Sequence, residues 1–166
     1  DAGIIDEDGH FVFFDRTNDV AQLVDGTRFA PTYIENKLKF SPYIKEAVVI
    51  GQDRPWVATI INIDFEVVGK WAERRGIPYT SFTDLSRKPE VYDLIHQEAV
   101  RVNAGLPAST RIRMYVLLHK ELDPDDEEMT RTRKVRRRFV AALLAMTPSG
   151  ELRREEDCCR VSSAAR

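Results

Sequence analysis

Two apolar runs constrain this chain more than any other feature. Ala47-Val-Val-Ile50 and Trp56-Val-Ala-Thr-Ile-Ile61 are rich in β-formers and are separated only by the turn-prone stretch 51–55. β-Branched side chains are stiff at χ1 and pack well on a pleated surface, so both runs read as strands. So short a connection makes them neighbours. Ile112–Leu118 reads as a third strand of the same domain.

Helices fill the intervals. Pro31 suits a first helical turn, where its missing N–H is not needed, and Tyr33, Ile34 and Leu38 keep helical spacing until Ser41-Pro42. Asp64 is an N-cap, with Glu66 in the first turn, Val68, Trp71 and Ala72 on one face, and Arg74-Arg75-Gly76 as the exit. From Pro89-Glu90 the positions Val91, Leu94, Ile95, Ala99 and Val102 follow a 3.6-residue period, and Asn103-Ala-Gly105 ends it. A last helix carries Val135, Phe139 and Leu143. Towards the N-terminus, Asp8-Gly9 is a tight-turn signal between Ile4-Ile5 and Phe11–Phe14, which predicts a β-hairpin. A short run, Val20–Val24, then leads to a turn at Asp25-Gly26. The expected class is α+β: a small three-stranded sheet packed with helices and preceded by a β-hairpin.

Composition excludes several classes of function. With 43% hydrophobic and 31% charged residues, the 166-residue chain is neither fibrous nor disordered in balance. Lys and Arg number 25 and Asp and Glu 27, so no whole-molecule attraction to nucleic acid follows. The longest apolar run, Phe139–Met146, falls short of the roughly 18 residues a spanning helix needs, so no transmembrane segment is expected. Cys158 and Cys159 are adjacent, so they staple no long loop and match no metal spacing, and a reducing compartment is the simpler reading. The chain opens on Asp1 with no leader, as expected of a piece of something longer.

Familiar catalytic signatures are missing. There is no Gly-x4-Gly-Lys-Ser/Thr loop, no Gly-x-Gly-x-x-Gly and no His-Glu-x-x-His, and His10, His96 and His119 are scattered over different elements. Three segments carry chemistry instead. Thr130–Arg138 holds six basic residues within 131–138 and follows an acidic loop, Asp123–Glu128. It reads as a solvated basic face, as a patch for nucleic acid or an acidic partner, or as a single lysine delivered on a mobile loop to stabilise charge on a carboxylate and a phosphate. No stacking aromatics interleave with these basic residues, which leaves the nucleic-acid reading without support. Asp15–Asp19 is a capped turn or a hinge between two packed units. Val24–Thr27 is a plain turn, or one in which Gly26 permits close backbone approach to a ligand.

In this order and spacing, the three segments resemble the C-terminal end of AMP-forming acyl-CoA synthetases, in the adenylate-forming superfamily, and most of all the long-chain fatty acyl-CoA synthetases. The residues that carry the likeness are Asp8-Gly9-His10, Asp15-Arg16, Gly26, and Ala30-Pro-Thr-Tyr-Ile-Glu-Asn-Lys-Leu-Lys-Phe-Ser-Pro-Tyr-Ile-Lys-Glu-Ala-Val-Val-Ile-Gly51. Met129-Thr-Arg-Thr-Arg-Lys-Val-Arg-Arg137 completes it. The resemblance implies a two-step ligase. A fatty-acid carboxylate attacks the α-phosphate of Mg-ATP to give acyl-adenylate and pyrophosphate, and coenzyme A thiol then displaces AMP. It places Lys134 on the lysine of the adenylation step, and Asp1 and Arg16 on nucleotide-binding positions. It places Asn18 on the hinge, where the family more often has Asp or Lys, and Gly26 in the loop that faces the active site for thioester formation. That loop usually reads Ser-Gly-Gly-Lys-Asn. Here Val24-Asp25-Gly26-Thr27-Arg28 lacks one Gly and the Lys, which keeps open an adenylating relative that loads a carrier protein.

The implied organisation is the end of a large N-terminal domain with the hinge (1–17), a C-terminal lid domain (18–146) and a disordered tail (147–166). The Mg2+ ligand and the fatty-acid tunnel are expected upstream, so this piece alone should be inactive. The implied partners are the N-terminal domain and the fatty acid, with no nucleic acid. The implied location is cytoplasmic, with peripheral membrane contact left open.

Overall fold

The computed structural model describes residues 2–5, 8–9, 11–15, 20–120 and 159–160. Strands β1 (Ala2–Ile5) and β2 (Phe11–Asp15) pair antiparallel, with Ile5 opposite Phe11, as the Asp8-Gly9 signal predicts. A second, smaller hairpin follows, from β3 (Ala21–Gln22) and β4 (Arg28–Phe29). The sequence reading anticipates the turn between them but not β4, because two residues carry no periodicity.

The central sheet is built on β5 (Ile44–Ile50), β6 (Val57–Ile63) and β7 (Ile112–Leu117). β5 and β6 run antiparallel, whereas β6 and β7 run parallel. A two-residue strand, β8 (Cys159–Arg160), pairs antiparallel with β7, giving the order β5-β6-β7-β8. The three expected strands are therefore joined by a fourth from the stretch expected to be a tail. The rest of 147–166 and the expected last helix lie outside the described residues.

All seven residues of β6 are buried, so both of its faces are covered. Each large apolar side chain there contributes about 1.5–3 kcal/mol by leaving water. Helix α1 (Pro31–Lys39) packs on β5 and buries Pro31, Ile34 and Leu38. Its Glu35 carboxylate accepts a hydrogen bond from Val49 N at 2.8 Å. This satisfies a buried N–H on the outer edge of the sheet, where another strand could otherwise pair.

The parallel β6–β7 pair needs a long crossover. It is supplied by α2 (Phe65–Arg74), α3 (Phe82–Ser86) and α4 (Pro89–Ala104). Asp64 caps α2 as read, its carboxylate accepting from Val67 N at 3.0 Å. α3 was not expected: five residues are too few for a period, and the helix is set by Ser81, whose hydroxyl accepts from Asp84 N at 3.2 Å. α4 buries Val91, Leu94, Ile95, Ala99 and Val102, the face the period predicts. Among the described residues no helix is long and apolar enough to cross a membrane.

Two polar devices fix the crossover. At its end the buried Asn103 amide pairs with Ile112, donating from Nδ2 to the Ile112 carbonyl at 2.9 Å and accepting from Ile112 N at 2.8 Å. The side chain acts as a piece of strand and starts β7. At its middle, Asp84 accepts from Thr80 N at 3.0 Å and pairs with Lys88 at 3.2 Å. The Thr80 N–H first, and then the Lys88 ammonium, hold the Asp84 carboxyl below its ordinary range.

Two predictions follow from these contacts. Asn103→Ala strips both backbone partners from buried Ile112 and should lower stability by roughly 2–4 kcal/mol in urea unfolding; a loss below about 1 kcal/mol would contradict the pairing. For Asp84, a lowered folded-state pKa means a contribution that is complete above the ordinary carboxylate range and disappears as pH falls through the folded value. The urea midpoints of the native protein and Asp84→Asn should therefore draw together as pH falls below about 5, and a gap that stays constant into acid would count against the Thr80 and Lys88 contacts.

Candidate functional site

Gly26 sits at the tip of the β3–β4 hairpin. Leu23 N donates to the Thr27 carbonyl at 2.9 Å and Gly26 N to the Leu23 carbonyl at 3.0 Å, which closes the turn. Gly26 has φ +86°, a conformation that favours glycine. A Cβ built there meets only Gln22 Nε2, at 3.6 Å, an ordinary van der Waals contact, so the constraint is the backbone angle. Asp25 Oδ1 accepts from Thr27 N at 2.8 Å. That backbone N–H, and after it the Thr27 side chain, keep the Asp25 carboxyl below its ordinary range. The tip is exposed, with Val24 at 70% of its full exposure. This suits close approach of a ligand to bare backbone.

The turn does not stand alone. The β5–β6 connection at 51–56 is bonded to it along one side: Val24 N donates to the Arg54 carbonyl at 3.1 Å and Asp53 N to the Gln22 carbonyl at 2.9 Å. Gly51 lies against the ring of Phe29, where a Cβ would come within 2.4 Å of Cζ. The sequence reading treats 51–55 only as a spacer between strands. Bonds between residues 30 apart leave no local signature, so Gln22, Gln52 and Asp53 go unnoticed there.

At the other end of the sheet, the backbone entering the acidic and basic segments is pinned. Leu118 N donates to the Ile61 carbonyl at 2.9 Å. Asn62 Nδ2, buried, donates to the Lys120 carbonyl at 2.8 Å. Thr83 Oγ1 donates to the His119 carbonyl at 2.8 Å, and Ser86 Oγ lies 3.1 Å from His119 Nδ1. The Ser86 hydroxyl donates to the Thr83 carbonyl at 3.1 Å, so His119 Nδ1–H serves as donor to Ser86. α3 thus fixes where the chain leaves β7.

Of the five residues singled out from sequence, Gly26 is described. Asp1, Arg16, Asn18 and Lys134 lie outside the described residues, as does the basic run 131–138. His96 packs beside Tyr115 with ring centroids 6.3 Å apart, and His119 is the anchor just described. Among the described residues there is no cluster of three or more His, Cys, Asp or Glu that could hold a metal ion.

Comparison with known proteins gives the site its context. A family model described as the AMP-binding enzyme C-terminal domain matches residues 18–146. The long-chain-fatty-acid–CoA ligase FadD15 of Mycobacterium tuberculosis is 30% identical over 146 residues, which are 87% of this chain and 24% of the relative. The fatty acid–[acyl-carrier-protein] ligase ScoC of Streptomyces coeruleorubidus is 47% identical over 57 residues, 34% of this chain and 11% of the relative. In fold, the chain is similar to the adenylation domain of the carboxylate reductase from Mycobacterium chelonae, with a TM-score of 0.61 at 18% identity over 85% of this chain and 23% of that one. The chain spans about a quarter of the length of the FadD15 ligase it matches. With most of its length covered by the one family model, the chain belongs to the C-terminal domains of AMP-binding, adenylate-forming enzymes.

Proposed function

We propose that this domain is the mobile C-terminal lid of a fatty acyl-CoA ligase and presents Lys134 for adenylation and the Gly26 turn for thioester formation. The observation that carries the reading is that both segments fall inside the matched family domain, 18–146. The FadD15 relative supports a fatty-acid substrate for the parent enzyme.

In the first step, a carboxylate oxygen of the fatty acid bonds to the α-phosphorus of ATP as the bond to pyrophosphate breaks. Two anionic reactants must meet. The positive charge of Lys134 lowers their repulsion and stabilises the charge that builds on the α-phosphate oxygens. Arg16 and Asp1 hold the nucleotide, and Asn18 is the pivot about which the lid then turns. In the second step, the coenzyme A sulfur loses its proton and bonds to the acyl carbon as the bond to AMP breaks. The exposed tip at Gly26 suits backbone approach to the arm that carries this thiol. No step is assigned here to Mg2+, whose ligands are expected outside this chain.

A second reading is that the acceptor is a carrier protein. The departure of Val24–Arg28 from the usual Ser-Gly-Gly-Lys-Asn loop and the similarity to the ScoC ligase favour it. The full-length enzyme given fatty acid, ATP and coenzyme A separates the two: adenylate accumulating with no thioester would select the carrier.

Lys134→Ala in the full-length enzyme should slow pyrophosphate release by about a hundredfold or more, the scale of losing one preorganised charge at a transition state. Thioester formation from supplied acyl-adenylate should persist. Equal loss of both steps would mean that Lys134 does not have the role given to it.

A further inference from the structure

The connection between β5 and β6 does more than reverse the chain. Gln22 has both backbone groups engaged by it: its N–H donates to Gln52 Oε1 at 3.0 Å, and its carbonyl accepts from Asp53 N at 2.9 Å. Two positions on, Val24 N donates to the Arg54 carbonyl at 3.1 Å. Three consecutive residues, Gln52, Asp53 and Arg54, therefore grip the strand that leads to Gly26. The Gln22 side chain then reaches across the turn and donates from Nε2 to the Gly26 carbonyl at 3.3 Å.

The grip is itself preset. Asp53 has φ +56°, in the left-handed region that non-glycine residues seldom occupy. Gln52 Nε2 donates to Asp53 Oδ1 at 2.9 Å, so one amide holds Asp53 with its nitrogen and Gln22 with its oxygen. Arg54 N donates to the Gly51 carbonyl at 3.1 Å, which tightens the bend. At its foot the bend has no freedom to slide, because Gly51 is wedged against Phe29 and Leu23. Unfavourable backbone angles tend to persist where the surroundings fix them for a purpose.

We propose that Gln52 is a positioning residue for acyl transfer: it holds the 51–54 bend against β3 and thereby fixes the Gly26 turn where the acceptor thiol must pass. The inference rests on the proposed role of Gly26. Gln52 touches no reacting group and acts through Gln22 and Gly26. Adenylation is served by the lysine segment, so Gln52 has no part in it.

The test uses the full-length enzyme and reads the half-reactions separately, pyrophosphate release for adenylation and thioester formation from supplied acyl-adenylate. Gln52→Ala should raise the KM for coenzyme A and slow thioester formation by about tenfold, since small misplacements of positioning groups cost that much or more. Pyrophosphate release should stay within about twofold. Gln52→Glu keeps the oxygen that accepts from Gln22 N but replaces the donor to Asp53 Oδ1 with a second carboxylate, so it should recover only part of the loss. Gly26→Ala is the companion variant. If it slows thioester formation while Gln52→Ala does not, the brace is wrong and the role of the turn stands. If Gly26→Ala leaves thioester formation unchanged, both fall. Equal loss of both half-reactions in Gln52→Ala, with no recovery in Gln52→Glu, would reduce Gln52 to a folding contact and overturn the proposal.

Discussion

The structure depends on burying β6 from both sides. Its seven residues leave no face for water. Its neighbours differ in direction, and that difference dictates the rest. An antiparallel partner can be reached by a short connection, and 51–56 supplies it. A parallel partner requires the chain to return to the same end, and the helices between β6 and β7 do so. Asn103 then starts β7 in register by lending its amide to Ile112.

The Gly26 hairpin and the backbone at 118–120 attach at opposite ends of this strand. The bend that grips the Gly26 hairpin precedes Val57, and the backbone pinned by Ile61, Asn62, Thr83 and Ser86 departs near Ile63. Seven residues of strand separate them by about 20 Å.

Polar side chains make the attachments at both ends, while apolar side chains make the body. Gln52, Asn62, Thr83 and Asn103 each bond backbone that is distant in sequence or belongs to a different element. Apolar packing is tolerant of small shifts in direction. A hydrogen bond with a defined donor and acceptor is not, which is why the placement of loops falls to these residues.

The sequence by itself determined the elements whose signal is local. The strand pair around 51–55 followed from β-branched content, α1 and α2 from Pro31 and Asp64 at their starts, and α4 from a 3.6-residue period. The family likeness, too, was legible in the unbroken motif from Ala30 to Gly51 and in the lysine segment. Tertiary structure alone decided the parallel sense of β7, the two-residue strands β4 and β8, and the short helix α3. It also turned a five-residue spacer into a brace. Periodicity and capping act within a few residues and are written in order along the chain. A bond such as that from Gln22 to Gln52 exists only once the sheet has brought the two together.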